Sequence, residues 1–175
     1  MILAEWAPLL AVLGISPAMA VAFARLRVWR VLTLPALALP LWLGGYYVWH
    51  LPPVYEAALR HPSSLLHLEH AWYFGTGLLM WWPLVQDIPR RPTSGFRAAY
   101  AFAAFVLAAP LGLMLALLPS AAYGFYAEAT PRIWGLSPLA DQQLAGITML
   151  AEQGIVLSVV FAYWFRRFLV EEGAS

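Results

Sequence analysis

Five stretches of about twenty mostly apolar residues, parted by short segments that carry most of the charge, leave this chain few ways to fold. A helix needs about 20 apolar residues to cross the hydrocarbon of a bilayer. Within that layer every backbone polar group must be paired inside the helix. The stretches run over residues 6–24, 31–49, 65–86, 98–118 and 139–165. Composition agrees, since 62% of residues are hydrophobic and 11% charged, against about a quarter charged in soluble domains. The expectation is an all-α integral membrane protein: one domain over residues 1–175, a bundle of about five transmembrane helices.

The first stretch ends in small residues, ISPAMAVA, as a secretory signal does, but no basic segment precedes it. Arg25, Arg27 and Arg30 follow it instead, the reverse of a signal, so it reads as a true span. Pro35 and Pro40 interrupt the second stretch, which is tolerable where neighbouring helices re-satisfy the loosened carbonyls. Orientation comes from arginine alone, because the chain has no lysine. With the N-terminus outside and the C-terminus cytoplasmic, eight arginines fall inside: Arg25, Arg27, Arg30, Arg90, Arg91, Arg97, Arg166 and Arg167. Only Arg60 and Arg132 fall outside, which satisfies the positive-inside rule.

All four histidines, His50, His61, His67 and His70, lie between Trp49 and Gln86. Ionisable groups at the edge of a span are costly and mark functional sites by default. His67 and His70 are three residues apart and share a helix face, whereas Glu69 points elsewhere. His50 ends the second span at the same depth. The connector of about 15 residues between them lets the two helix ends stand side by side, so three imidazoles can converge near the outer surface. Imidazole suits copper, zinc, iron and nickel. The absence of cysteine excludes thiolate ligation and disulfides. The plainer reading makes these interfacial histidines, bonded to Tyr46, Tyr47 or the turn backbone. His61, beside Arg60, reads as a surface residue.

The fifth stretch opens PLADQQLAGITMLAEQG. Asp141, Ala145, Thr148 and Glu152 form one helical stripe; Gln142, Gly146, Met149 and Gln153 form the next. Glu152 lies roughly 16 Å deeper than Asp141 at 1.5 Å per residue, where a carboxylate must face protein, water or a cation. Asp141 reads first as a helix cap, and the glutamines as hydrogen bonds between helices. Met149 reads first as packing and second as a soft Cu(I) ligand. Ala71, Gly75 and Gly77 read as close-packing positions, and Trp81 and Trp82 as an inner aromatic belt.

Three segments, WHLPPVYEAAL, LHLEHAWYFGTGLLMWWPL and PLADQQLAGITM, together resemble the polytopic CtaG family of cytochrome c oxidase assembly factors, named from caa-type oxidases. The resemblance runs from about Ala7 to Glu172. It implies a multi-pass protein of the bacterial inner membrane that helps mature a haem–copper oxidase, at its copper centre. The polar positions that match the family's pattern are His50, His67, Glu69, His70, Asp141, Gln142 and Gln143. Two departures stand out. The family's usual seven or so spans include a histidine motif ahead of the run that is APLLAVLG here, so either the chain is a naturally short form or another chain completes the site. Glu152 and Gln153 replace a Pro-Gly type sequence.

The candidate metal ligands are therefore His50, His67, Glu69, His70, Asp141, Met149 and Glu152. The leading reading is an assembly factor, not an enzyme, that takes Cu(I) from an extracytoplasmic donor and presents it to the oxidase catalytic subunit. A zinc hydrolase built on His50, His67 and His70, with Asp141 or Glu152 as base, is the alternative. No serine-nucleophile motif or H-E-x-x-H supports it. A metal-free scaffold or accessory subunit of the oxidase is the third reading. Haem ligation by two histidines and a homodimer stay open, membrane lipid is an expected partner, and nucleic acid is not.

Overall fold

The computed structural model describes residues 6–128 and 133–174, and every regular element among them is helical. The α-helices are α1 (Trp6–Leu13), α2 (Pro17–Arg25), α3 (Arg27–Leu32), α4 (Pro35–Trp49), α5 (Pro52–Arg60), α6 (His67–Val85), α7 (Ser94–Leu117), α8 (Gly124–Glu128) and α9 (Pro138–Gly173). A π-helical turn at Pro62–Leu66 leads into α6, and a 3-10 turn at Ile133–Gly135 precedes α9.

Among the described residues two helices, α7 and α9, are long and apolar enough to cross a bilayer; α1 with α2 makes a third if the bent pair is one span. The expected first span is thus not one continuous helix. It breaks after Leu13, where Ser16 caps α2 and Pro17 starts it, and the two halves meet at 103°. The second expected span is the 15-residue α4. Pro35 does not interrupt it but opens it at the first helical position, where the missing N–H costs nothing. The third is the 19-residue α6. The fifth runs on through the basic tail to give 36 residues in α9, about 54 Å of helix at 1.5 Å per residue. Arg132, counted on the outer side, lies outside the described residues.

α9 packs chiefly on α7, while α6 packs on α1 and α4. The α7–α9 crossing depends on two glycines. A Cβ on Gly146 would lie 2.6 Å from the Ala116 nitrogen and 2.7 Å from the Gly112 oxygen, so the backbones touch, as small residues allow in membrane bundles. Gly45 does the same for α4 and α6, with the Trp72 indole in the space a Cβ would occupy. Gly75, expected as a close-packing position, faces open space instead. Tyr47 ties α4 to α7 by donating to the Leu107 carbonyl at 2.6 Å, in the turn that Pro110 loosens. Trp42, Trp81, Trp82 and Met80 are fully buried between these helices; Trp81 and Trp82 are core residues, not a belt. Outside, Leu113, Ile147, Ile155, Val159 and Val170 are about half exposed or more. A sheath of that kind needs a bilayer to cover it.

Candidate functional site

Where α4, α7 and α9 end or begin on one side of the bundle, a cavity of about 300 Å³ opens, lined by His50, Tyr55, Leu115, Ala121, Tyr123, Pro138, Asp141, Gln142, Ala145 and Met149. Each helix contributes by a local cause. α4 stops at Trp49 because Pro52 and Pro53 begin α5, which leaves His50 at the turn. α9 starts after Ser137, whose hydroxyl accepts from the Ala140 N–H at 3.1 Å. Ser137, not Asp141, is therefore the cap. Asp141 sits in the first turn, where the helix dipole favours its charge, and its side chain borders the cavity.

His50 has a defined tautomer. Its Nδ1 lies 2.7 Å from the Tyr46 carbonyl oxygen, which can only accept, so Nδ1 carries the hydrogen and Nε2 the lone pair. A carbonyl holding one ring nitrogen so that the other can bind a metal is the usual outer-shell arrangement of a histidine ligand. The ring is set among tyrosines: Tyr73 Oη is 3.3 Å from Nδ1, and Tyr55 stacks parallel at 6.1 Å. Burial pushes the His50 pKa below its ordinary value, and the bond to Tyr46 only partly offsets this. The ring is neutral at physiological pH, the state that ligates.

The roof is fastened from three sides. Tyr123 donates to the His50 carbonyl at 3.0 Å, the Gly124 N–H donates to Glu56 at 2.7 Å, and the Ala122 N–H donates to Gln142 Oε1 at 2.6 Å. Gln142 also donates through Nε2 to the Leu115 carbonyl at 3.3 Å. It is the interhelical bond expected of it. On α9 the stripe Gln142, Gly146, Met149 and Gln153 faces the core, whereas Asp141, Ala145, Thr148 and Glu152 are partly or fully exposed.

Three of the seven candidate ligands thus meet: His50, Asp141 and Met149. The other four do not join them. His67 and His70 are exposed on α6, and His67 Nδ1 is held by the Pro62 carbonyl at 2.7 Å. Glu69 is buried, with Oε2 lacking a hydrogen-bond partner among the described residues, but it does not line the cavity. Glu152 is half-buried further along α9. Among the described residues, no three His, Asp or Glu side chains are grouped so as to hold a metal, and the convergence of three imidazoles is not formed. The residues sequence reasoning left out of the site are Tyr55 and Tyr123, which line the cavity, and Tyr73, which touches the His50 ring. Tyr55 had a signal, as the tyrosine of the W-H-x-P-x-x-Y segment. Gln153 is fully buried, and neither polar atom of its amide has a partner among the described residues.

A family model described as cytochrome c oxidase caa3 assembly factor (Caa3_CtaG) matches residues 1–171. The chain belongs to that family. No curated protein and no solved structure matches it. As a caa3 assembly factor it is a membrane protein with a role in building cytochrome c oxidase, and the WH, LHLEH and DQQL segments all fall within the matched region.

Proposed function

We propose that the protein carries Cu(I) as cargo in the cavity beneath His50 and passes it to the catalytic subunit of the oxidase. The observation that carries this reading is the meeting of an imidazole, a thioether and a carboxylate at one cavity. The nitrogen and sulfur donors suit Cu(I), and the carboxylate offsets its charge. Few strong donors make a labile site, which a carrier needs if it is to release its ion. Met149 and the unpaired Gln153 amide continue inward along the same stripe of α9, supporting a path from the surface toward a buried acceptor.

The same proposal fixes the topology. α4 and α6 cross the bacterial cytoplasmic membrane together with α7, α9 and the bent α1–α2 pair, with the N-terminus outside. The arginine balance supports it, as does the gathering of Arg90, Arg91, Arg97, Arg166 and Arg167 at the bundle end opposite the cavity. The donor is then an extracytoplasmic copper protein.

The test is copper content by mass spectrometry after Cu(I) loading in mild detergent. Wild type is expected to keep about one equivalent. His50→Ala is expected to lose it, and Met149→Leu to bind at least about ten times more weakly, while the His67→Ala/His70→Ala pair keeps it. Loss in the His67/His70 pair alone would move the site to α6. Preference for zinc over copper would favour the hydrolase, and failure to hold either metal would leave the scaffold.

A further inference from the structure

At the opposite end of the bundle a second cavity, of about 320 Å³, has five charged side chains in its lining: Asp87, Arg91, Arg97, Arg167 and Glu171. Arg91 and Arg97 both pair with Asp87. Arg167 pairs with Glu171 at 3.7 Å, which also accepts from the Ser94 hydroxyl at 2.8 Å. Both carboxylates are thereby engaged, and three guanidinium groups against two carboxylates leave one positive charge in excess. The N-terminus of the 24-residue α7 opens onto the same cavity and adds the positive end of its dipole. Arg97 is buried, its guanidinium 4.3 Å from the centre of the Trp164 ring. Its Nε has no hydrogen-bond partner among the described residues.

This charged cavity is not isolated. A cleft of about 510 Å³ shares Asp87, Arg97, Trp164 and Arg167 with it. Away from those four, the cleft is lined mostly by apolar side chains, among them Leu9 and Leu13 of α1, Leu84 of α6, and Val159 and Val160 of α9. Excess positive charge at one end of a groove and an apolar channel at the other match a molecule with an anionic head and a hydrocarbon tail. Basic pockets between membrane helices on the cytoplasmic side bind such head groups.

We infer that this groove is a binding site for an anionic glycerophospholipid, its phosphodiester against Arg91 and Arg167 and an acyl chain between α1, α6 and α9. A single phosphodiester charge matches the single excess positive charge. A zwitterionic head group would bring an ammonium to carboxylates that are already paired.

The experiment is native mass spectrometry of the full chain in mild detergent, equilibrated with equal amounts of phosphatidylglycerol, phosphatidylethanolamine and phosphatidylcholine. A separate arm follows thermal stability with inorganic phosphate. Phosphatidylglycerol is expected to be retained several-fold over the other two. The double variant Arg91→Gln/Arg167→Gln should drop that preference to about one. Both side chains are half exposed or more, and the Arg97–Asp87 pair is untouched, so the variant's lipid-free melting temperature should stay at the wild-type value. Equal retention of all three lipids, preference for phosphatidylethanolamine, an unchanged preference in the double variant, or stabilisation by phosphate without lipid preference would each overturn the inference. Copper content, read on the same samples, is expected to be indifferent to the double variant.

Discussion

At His50 two influences on the ring oppose each other. Burial disfavours the imidazolium, the bond from Nδ1 to the Tyr46 carbonyl favours it, and burial wins, so the pKa falls below its ordinary value of 6.5. The consequence for stability has a definite sign. Above 6.5 neither the folded nor the unfolded chain protonates this ring, and His50 adds no pH dependence. Below 6.5 the unfolded chain binds a proton that the folded chain declines, so stability falls with pH until the folded value is reached, then levels. Thermal unfolding of metal-free protein between about pH 7.5 and about pH 5.5, each about one unit from that value, should show a drop that His50→Gln reduces. Equal slopes in the two proteins would assign the effect elsewhere. Gln142 carries a second prediction at this scale. Gln142→Leu leaves the Leu115 carbonyl and the Ala122 N–H without their side-chain partner, a loss of about 1–3 kcal/mol. It should lower the melting temperature and, by loosening the roof of the cavity, speed copper release.

The elements were legible to different degrees, and glycine marks where. Helices α7 and α9 follow directly from apolar length, and α5 from the VYEAALRH segment, but how they approach one another does not. Gly75 and Gly77 stand in a row that reads as a packing motif, yet Gly75 faces open space, whereas Gly112 and Gly146, in different helices, hold the crossing. A one-dimensional pattern shows a small residue and not its neighbour in space. Gly146→Val should therefore cost about 1–3 kcal/mol by overpacking, while Gly75→Ala should be neutral or stabilise by up to about 1 kcal/mol through helix propensity. Chemical or thermal unfolding of the two variants in detergent separates them; a harmless Gly146→Val would mean the crossing can open. The same blindness explains the histidines. Their spacing put His67 and His70 on one face, as found, but could not say that this face turns outward while the buried Glu69 turns in. His50, Asp141 and Met149 meet only because α4 ends and α9 begins on the same side, a fact of tertiary packing.

For the whole molecule, the arrangement of charge separates two ends with different chemistry. One holds imidazole, thioether, carboxylate and tyrosines around a cavity; the other holds arginines around a charged groove. The proposed topology puts the first outside and the second in the cytoplasm, and it requires α4 and α6 to cross although they have only 15 and 19 residues. Fifteen helical residues span about 22 Å, short of a hydrocarbon core of about 30 Å. α4 therefore needs α3 to complete its crossing, or a locally thinned bilayer. Because the chain has no cysteine, single cysteines test this cleanly. Ser63→Cys and Ser120→Cys should react with a membrane-impermeant maleimide added outside intact cells, and Arg91→Cys and Ala174→Cys only after lysis. All four positions are exposed, so a failure to label reports the membrane and not burial. Positions 63 and 120 are joined by α6 and α7. Labelling of either one without the other would mean that only one of those helices crosses, and the copper cavity, which draws residues from both sides of that pair, would then need a different entrance.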